Sequence, residues 1–291
     1  IQIVERRFGI HYTMGGTGAL VAALGRLMSD VGIDIRLGAD VTRIACTGGS
    51  VRGVELADGT TIPADRVVCN ADPVSVYQRL LPDEPAANAG RRKARRMRMS
   101  MGLFVAYFGT DRTYENLAHH TIVLSDRYEG LLRDIFGRDR LPQDPSLYVH
   151  APTRTDPSMA PEGHECFYAL APVPNLDAGI DWSREGDRYR DLVLDRIERM
   201  MAPGLRASLD TCFYSTPETF RDDFLSPAGA GFSVQPLLTQ SAWFRFHARC
   251  PRVGGLYFVG AGTHPGAGLP GVTMSARVLE RVLREEGAVH R

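Results

Sequence analysis

The sequence predicts an α/β fold with a second, α+β lobe, on three observations. Residues 256–283 read as strand, glycine-rich loop and helix, the unit from which parallel sheets are built. Residues 33–69 read as a meander of short strands, in which Asp58-Gly59 is a strong hairpin signal. Residues 97–108, 147–151 and 166–173 read as longer strands, expected to form an antiparallel sheet in the second lobe.

The strand–loop–helix organises the rest. Leu256, Tyr257, Phe258 and Val259 form the continuous apolar run of a strand buried on both faces. Gly260, Gly262, Gly266, Gly268 and Gly271 then crowd one loop, with Pro265 and Pro270 fixing its course. From Val272 the period is helical, with Val272, Ala276, Leu279, Val282 and Leu283 inward and Arg277, Glu280 and Arg284 outward. Backbone without side chains admits another segment or a ligand at close range. The helix mouth offers free N–H groups and a positive dipole end. That suits a pyrophosphate, or a ring carbonyl that gains charge on reduction; a tight crossover without a ligand is the plain alternative. Gly266-Ala-Gly268-Leu-Pro-Gly271 satisfies G-x-G-x-x-G, but Thr263-His264-Pro265 separate it from the strand. Glu285 and Glu286 lie in a helix tail with no strand after them, so a standard NAD site is excluded.

With 291 residues and 44% hydrophobic content the chain has material for two connected lobes. A net charge of zero gives no global pull toward nucleic acid or acidic lipid. Five scattered cysteines without C-x-x-C spacing point to reduced thiols in a cytosolic protein, not to a disulfide frame or a zinc site. No run approaches the ~18 apolar residues of a membrane span. Residues 1–12 read like the middle of something, and the chain is expected to be the later part of a longer protein.

Along the chain, Gly15-Gly16-Thr17-Gly18 opens a helix carrying Leu20, Leu24, Leu27, Met28 and Val31, stopped by Gly32. The double glycine serves either a ligand or close helix packing. Strands are expected at 33–37, 41–46, 51–56, 60–63 and 67–69, returning the chain to Asn70-Ala71-Asp72-Pro73 at a nucleotide-binding core. Residues 82–94 read as loop then helix. The basic run Arg91, Arg92, Lys93, Arg95, Arg96 and Arg98 has a solvated face as its usual meaning, with an anionic membrane surface or nucleic acid as the sharper readings. Its lack of interleaved aromatics argues against a single-stranded nucleic-acid platform. The 97–108 strand presents a methionine-rich face, either plain core or the wall of an apolar pocket. His119-His120 are adjacent and so expected on opposite sides of a strand, which predicts no metal site. Residues 183–201 predict an amphipathic helix with Tyr189, Leu192, Val193, Ile197 and Met200 inward, and 234–243 have extended character.

The motif VGAGTHPGAGLPGV (259–272) resembles the C-terminal signature of bacterial phytoene desaturases, the carotenoid desaturases of the flavin amine-oxidase superfamily. Matching segments run in the same order: GGTGAL (15–20), NAD (70–72), LAHHT (117–121), HAP (150–152), TDPSMAPEG (155–163), LAPVPN (170–175), FRD (220–222) and LTQSAWF (238–244). The resemblance covers nearly the whole chain. One departure is local: Phe246 stands where the family pattern has proline. The larger one is that the family opens with a strand–G-x-G-x-x-G–helix unit for the FAD pyrophosphate, and nothing in residues 1–15 can play that part.

The resemblance implies a partial FAD-binding, Rossmann-like flavoprotein fold with an antiparallel-sheet substrate domain, lacking the N-terminal βαβ unit. It implies residues 1–80 as part of the FAD-binding domain, 81–250 as the substrate-binding domain, and 251–291 as the segment closing the FAD site. The implied activity is FAD-dependent desaturation of phytoene, a C40 precursor, toward neurosporene or lycopene, with this truncated chain inactive by itself. Gly260, Gly262, Thr263 and His264 match the loop beside the flavin's ribityl–phosphate part. Gly271, Val272 and Thr273 match the helix start under the ring, and Val41 a position whose backbone meets the adenine. Met99, Met101, Trp243 and Phe244 are the candidates for lining a hydrophobic polyene substrate, with core packing as the alternative. No catalytic residue and no metal ligand is assigned. Peripheral contact with the bacterial cytoplasmic membrane, from the cytoplasmic side, follows from a substrate that lives in lipid. An amine oxidase is disfavoured, because residues 262–272 lack the aromatics that frame an amine. A non-catalytic membrane-binding piece is the alternative of a different class.

Overall fold

In the computed structural model, which describes residues 2–137 and 140–287, the chain forms two units: Ile1–Arg36 with Gly102–Glu218, and Leu37–Met101 with Thr219–Arg291. In chain order the elements are α1 (Gln2–Phe8), α2 (Gly16–Asp30), β1 (Val41–Thr47), β2 (Ser50–Leu56), β3 (Thr61–Pro63), β4 (Val67–Cys69), α3 (Pro73–Ser75), α4 (Asn88–Ala94), β5 (Gly102–Thr110), β6 (His120–Val123), α5 (Tyr128–Gly137), β7 (Leu147–His150), β8 (Glu165–Val173), α6 (Trp182–Met200), β9 (Leu209–Ser215), α7 (Pro217–Asp222), β10 (Leu256–Phe258) and α8 (Leu269–Glu285). The mixed fold class and the antiparallel sheet are as the sequence predicts.

The first unit is built on a five-stranded antiparallel sheet of order β6-β7-β8-β5-β9. Phe104, Ala106 and Phe108 of β5 turn one face into the core, where they meet Trp182, Tyr189, Val193 and Ile197 of α6. Phe104 is fully buried, stacked on Tyr214 at 5.3 Å and edge-on to Tyr189 at 5.1 Å between centroids. Asp181 caps α6 by accepting from the Ser183 N–H at 3.1 Å. Met200, expected inward, is exposed; the turn after α6 places Ala202 and Leu205 in the core instead. The double glycine is spent on packing. The Gly15 N–H donates to Asp156 at 2.6 Å, and a Cβ on Gly16 would lie 3.1 Å from the Met159 methyl. Leu24, Leu27, Met28 and Val31 of α2 and its end are exposed.

Two strand expectations fail here and nearby. Residues 33–37 alternate apolar and polar but form no strand: no partner strand hydrogen-bonds them among the described residues, and Ile33, Ile35 and Leu37 are exposed. The alternation rule also fails at the histidine pair. His119 sits at a bend just before β6, so its ring is not held to the opposite face, and the two rings lie 4.4 Å apart.

The second unit contains the antiparallel meander β1-β2-β3 and a parallel pair, β4 with β10. The Thr60 N–H donates to the Asp58 carboxylate at 2.8 Å in the expected hairpin turn. Tyr77, Phe246 and Phe258 pack at the centre of its core, with Tyr77 5.6 Å and 5.5 Å from the other two rings. The 97–108 strand is shorter than predicted. β5 begins at Gly102, while Met99 makes an isolated bridge to Val234 and is buried in this second core. Residues 234–243 form turns, Leu238–Gln240 and Ala242–Phe244, in place of extended chain. The Gln240 amide fixes them by donating to the carbonyls of Arg98 at 2.7 Å and Gln235 at 2.8 Å.

α8 starts at Leu269, three residues earlier than expected, with Pro270 in its first turn. Its buried face centres on Ser275 and Leu279, flanked by Val278, Val282 and Leu283, while Ala276 is exposed. The Ser275 hydroxyl accepts from the Gly260 N–H at 2.8 Å and donates to the Val272 carbonyl at 2.5 Å. The loop before it is interlocked with the turn after β4. A Cβ on Gly260 would lie 2.2 Å from Asn70 Oδ1, and one on Gly262 2.3 Å from Pro73 Cδ.

Two substitutions test these cores separately. Phe104→Ala is expected to cost the first unit about 3–5 kcal/mol, read by urea unfolding through Trp182 fluorescence in a Trp243→Phe background. Gly262→Ala is expected to cost the second unit about 1–3 kcal/mol by overpacking, read through Trp243 in a Trp182→Phe background.

Candidate cofactor site

Two parallel strands ending side by side define the site. β4 and β10 pair from Leu256 with Val67 to Phe258 with Cys69, and both turns leave the sheet at its carboxyl edge. Open parallel sheets bind ligands at that edge. Asp72 closes the first turn by accepting from the Val74 N–H at 2.8 Å and from the Ser233 hydroxyl. A cleft of ≈ 690 Å³ lies on one side, walled by Val41, Thr42, Cys69, Asn70, Ala71 and Arg79 among others. A second, of ≈ 260 Å³, is walled by Asn70, Asp72, Ser233, Ala261 and Gly262. The two clefts share Asn70 and Leu225. The fold therefore brings Val41 and Gly262, 221 positions apart in sequence, to neighbouring cavities on the same edge.

Besides Arg79, this edge holds a buried positive charge on a residue that sequence reasoning missed. Arg245 is buried, donates to the Ala261 carbonyl at 2.7 Å, and leaves its Nε without a partner among the described residues. Burial pulls its pKa down, and the nearby Asp72 charge opposes that pull. Burial pushes the Asp72 carboxyl up, against the Ser233 and Val74 hydrogen bonds and Arg245. An orphaned, buried guanidinium nitrogen is costly unless a further acceptor reaches it. The only sequence signal for it was an arginine between two aromatics, Phe244 and Phe246.

The predicted loop residues take distinct positions. Gly260 and Gly262 are buried in the interlock, and buried Thr263 spends its hydroxyl on the Gly260 carbonyl at 3.0 Å. His264 is exposed, with its backbone N–H on the Phe246 carbonyl at 2.9 Å. Phe246 replaces proline by burying its ring under the Lys93 ammonium, 4.6 Å from the centroid. At the helix mouth the Val272 N–H is already bonded to the Gly268 carbonyl at 2.9 Å, leaving Leu269 and Gly271 as donors because Pro270 has none. Thr273 is exposed and turns its hydroxyl back onto the Leu269 carbonyl at 2.9 Å.

The four expected substrate-lining residues do not form one surface. Met99 is core, and the Met101 carbonyl accepts from Gly231 at 2.9 Å. Trp243 and Phe244 instead border a groove of ≈ 810 Å³ with Arg92, Lys93, Arg96 and Met97.

Residues 3–278 match the family described as flavin containing amine oxidoreductase. The neurosporene-forming phytoene desaturase of Rhodobacter capsulatus is 45% identical over 289 residues, which cover 97% of this chain and 55% of that protein. The lycopene-forming phytoene desaturase of Pseudescherichia vulneris is 45% identical over 287 residues, 98% of this chain and 58% of that protein. The chain thus spans about half the length of the relatives it matches. Among solved structures, an oxidoreductase from Methanosarcina mazei superposes with a TM-score of 0.65 at 19% identity, over 95% of this chain and 57% of that one. A putrescine oxidase variant does so with a TM-score of 0.62 at 14% identity, over 94% and 53%. At such identities these two establish the fold alone. With a family match across nearly all of its length and the fold to go with it, the chain belongs to the flavin-containing amine oxidoreductase family.

Proposed function

We propose that this chain supplies one wall of the FAD site of a phytoene desaturase, acting on a C40 polyene precursor toward neurosporene or lycopene. The observation that carries this reading is the buried, half-satisfied Arg245 behind a loop whose glycines bring backbone to the carboxyl edge of β4 and β10. FAD would suit that edge: the clefts on either side of Asn70 could take an extended ligand, and the Leu269 and Gly271 N–H groups, with Arg245 behind the loop and lining neither cleft, would favour its anionic parts. Val41 would border the adenine, and Gly260, Gly262, Thr263 and His264 the ribityl–phosphate part. Gly271, Val272 and Thr273 would lie under the ring. Of those three, Gly271 is the donor able to stabilise developing negative charge, since the Val272 N–H is taken.

When bound, a flavin accepts the two electrons that desaturation removes. The chain's own residues then position and shield. The Ser275 hydroxyl ties α8 to the end of β10, and the Asn70–Gly260 interlock fixes the wall against which the cofactor rests. An uncharged polyene offers nothing to hydrogen-bond, so its recognition rests on apolar area, at about 25 cal/mol per Å² buried.

A specific observation favours membrane contact as well. Leu238, Trp243 and Phe244 are 91%, 77% and 57% exposed, and the two aromatics share a groove with Arg92 and Arg96. Apolar side chains beside arginines suit an anionic lipid surface. No helix among the described residues is long and apolar enough to cross a membrane.

Reconstitution tests the first reading. In the 291 residues no strand leads directly into a G-x-G-x-x-G turn, since Thr263-His264-Pro265 separate the one such motif from its strand, so this chain alone is expected to bind FAD weakly and to yield no product from phytoene. Joined to the part of the R. capsulatus relative that it does not cover, it is expected to show a bound-flavin spectrum and desaturated product. Arg245→Met is expected to weaken flavin retention in the joined protein by about 10- to 100-fold. Robust turnover by the 291 residues alone would contradict the two-part site. For the membrane reading, binding to phosphatidylglycerol vesicles is expected to fall about fivefold for each of Arg92 and Arg96 changed to glutamine. Equal binding to neutral vesicles would sink it.

A further inference from the structure

The first unit carries a side-chain cluster that the flavin reading does not use. His120 of β6 and His150 of β7 are direct cross-strand partners, and His119, at the bend before β6, folds its ring over the same side. One nitrogen from each of the three rings lies within 4.8 Å of the others, and Nε2 of His119 and His150 are 2.9 Å apart. Two of the rings have their Nδ1 held by a hydroxyl. His119 Nδ1 meets the Thr155 hydroxyl at 2.5 Å, and His120 Nδ1 meets the Tyr148 hydroxyl at 2.7 Å.

We propose that His119, His120 and His150 form a three-imidazole site for a divalent transition metal of the zinc class. Zinc–imidazole bonds of about 2.0–2.1 Å in tetrahedral geometry place ligand nitrogens about 3.4 Å apart. The nitrogens here bracket that separation, from 2.9 Å to within 4.8 Å, so small ring rotations reach it. Metal-bound histidines characteristically engage their other ring nitrogen with an oxygen, which fixes tautomer and orientation. Thr155 and Tyr148 are placed to do so for two of the three. His120 is exposed, giving the ion an entry path, while His119 and His150 are half-buried against Tyr12 and Tyr168, respectively. Three protein ligands leave a fourth position for water or an anion. The backbone prepares this arrangement: the Ala151 N–H donates to the His119 carbonyl at 2.9 Å, extending the β6–β7 ladder by one rung and holding the bend in place.

The competing account is a plain His119–His150 hydrogen bond, with one ring protonated on Nε2 and no ion. Titration of the purified, metal-free chain with Co²⁺, followed by its visible ligand-field bands, and with Zn²⁺ against a chromophoric chelator, separates the two. One equivalent of metal per chain is expected, with Zn²⁺ displacing Co²⁺. His120→Gln and His150→Gln are each expected to weaken Zn²⁺ binding by more than about tenfold, the lower end of what outer partners alone cost. Tyr148→Phe, which keeps all three ligands, is expected to weaken it less than either. His164→Gln, at a half-buried histidine whose Nε2 lies 3.3 Å from the Asp210 carboxylate, is the control and is expected to leave it unchanged. Circular dichroism of each variant confirms folding. Absence of a stoichiometric site in the wild-type chain, or binding that survives His120→Gln and His150→Gln unchanged, overturns the proposal. The readout does not involve flavin or substrate, so it stands or falls separately from the desaturase reading.

Discussion

Two turns that cannot both carry side chains are the constraint on which the candidate cofactor site depends. The chain leaves β4 through Asn70-Ala71-Asp72-Pro73 and leaves β10 through Val259-Gly260-Ala261-Gly262, and the turns run so close that a Cβ on Gly260 or Gly262 would meet Asn70 or Pro73 at 2.2 or 2.3 Å. The glycines are therefore first a packing requirement. Their consequence for function is indirect: they keep the carboxyl edge of the parallel pair bare, with clefts on both sides of Asn70 and the mouth of α8 close by in sequence. Ser275 secures the arrangement with one hydroxyl that bonds both the end of β10 and the first turn of α8.

That constraint also explains where polar groups are buried. Arg245 is buried and Asp72 half-buried on this edge, and neither is satisfied by the other alone. Asp72 spends itself on Val74 and Ser233, while Arg245 has the Ala261 carbonyl and a nitrogen to spare. A buried cation with unused donor capacity is expensive in a protein that binds nothing there. It is reasonable chemistry where a phosphate or a reduced ring completes the shell.

Much of this was legible in the sequence because it is local. The apolar run 256–259, the Asp58-Gly59 turn, β4 and the body of α6 follow from patterns of a few residues, and the structure places them as read. What was illegible depends on partners far away. Residues 33–37 have a strand's alternation but no ladder partner, and Met97, Met99 and Met101 continue the period of β5 although Met99 is bound to Val234 in a different core. The start of α8 was readable in principle from Pro270, since proline favours a helix's first turn. The role of Arg245 was not, because only tertiary burial distinguishes it from the solvated arginines that make up most of this chain's basic residues. The histidine pair failed for a further reason: alternation holds inside a strand, and His119 lies one residue outside it.

The central claim is that the flavin rests on the carboxyl edge of β4 and β10. Photolabelling of a reconstituted holoenzyme with an azido-FAD, followed by peptide mapping, tests it directly. The account predicts label on peptides spanning residues 67–73 and 256–273; label confined to residues 102–218 would contradict it.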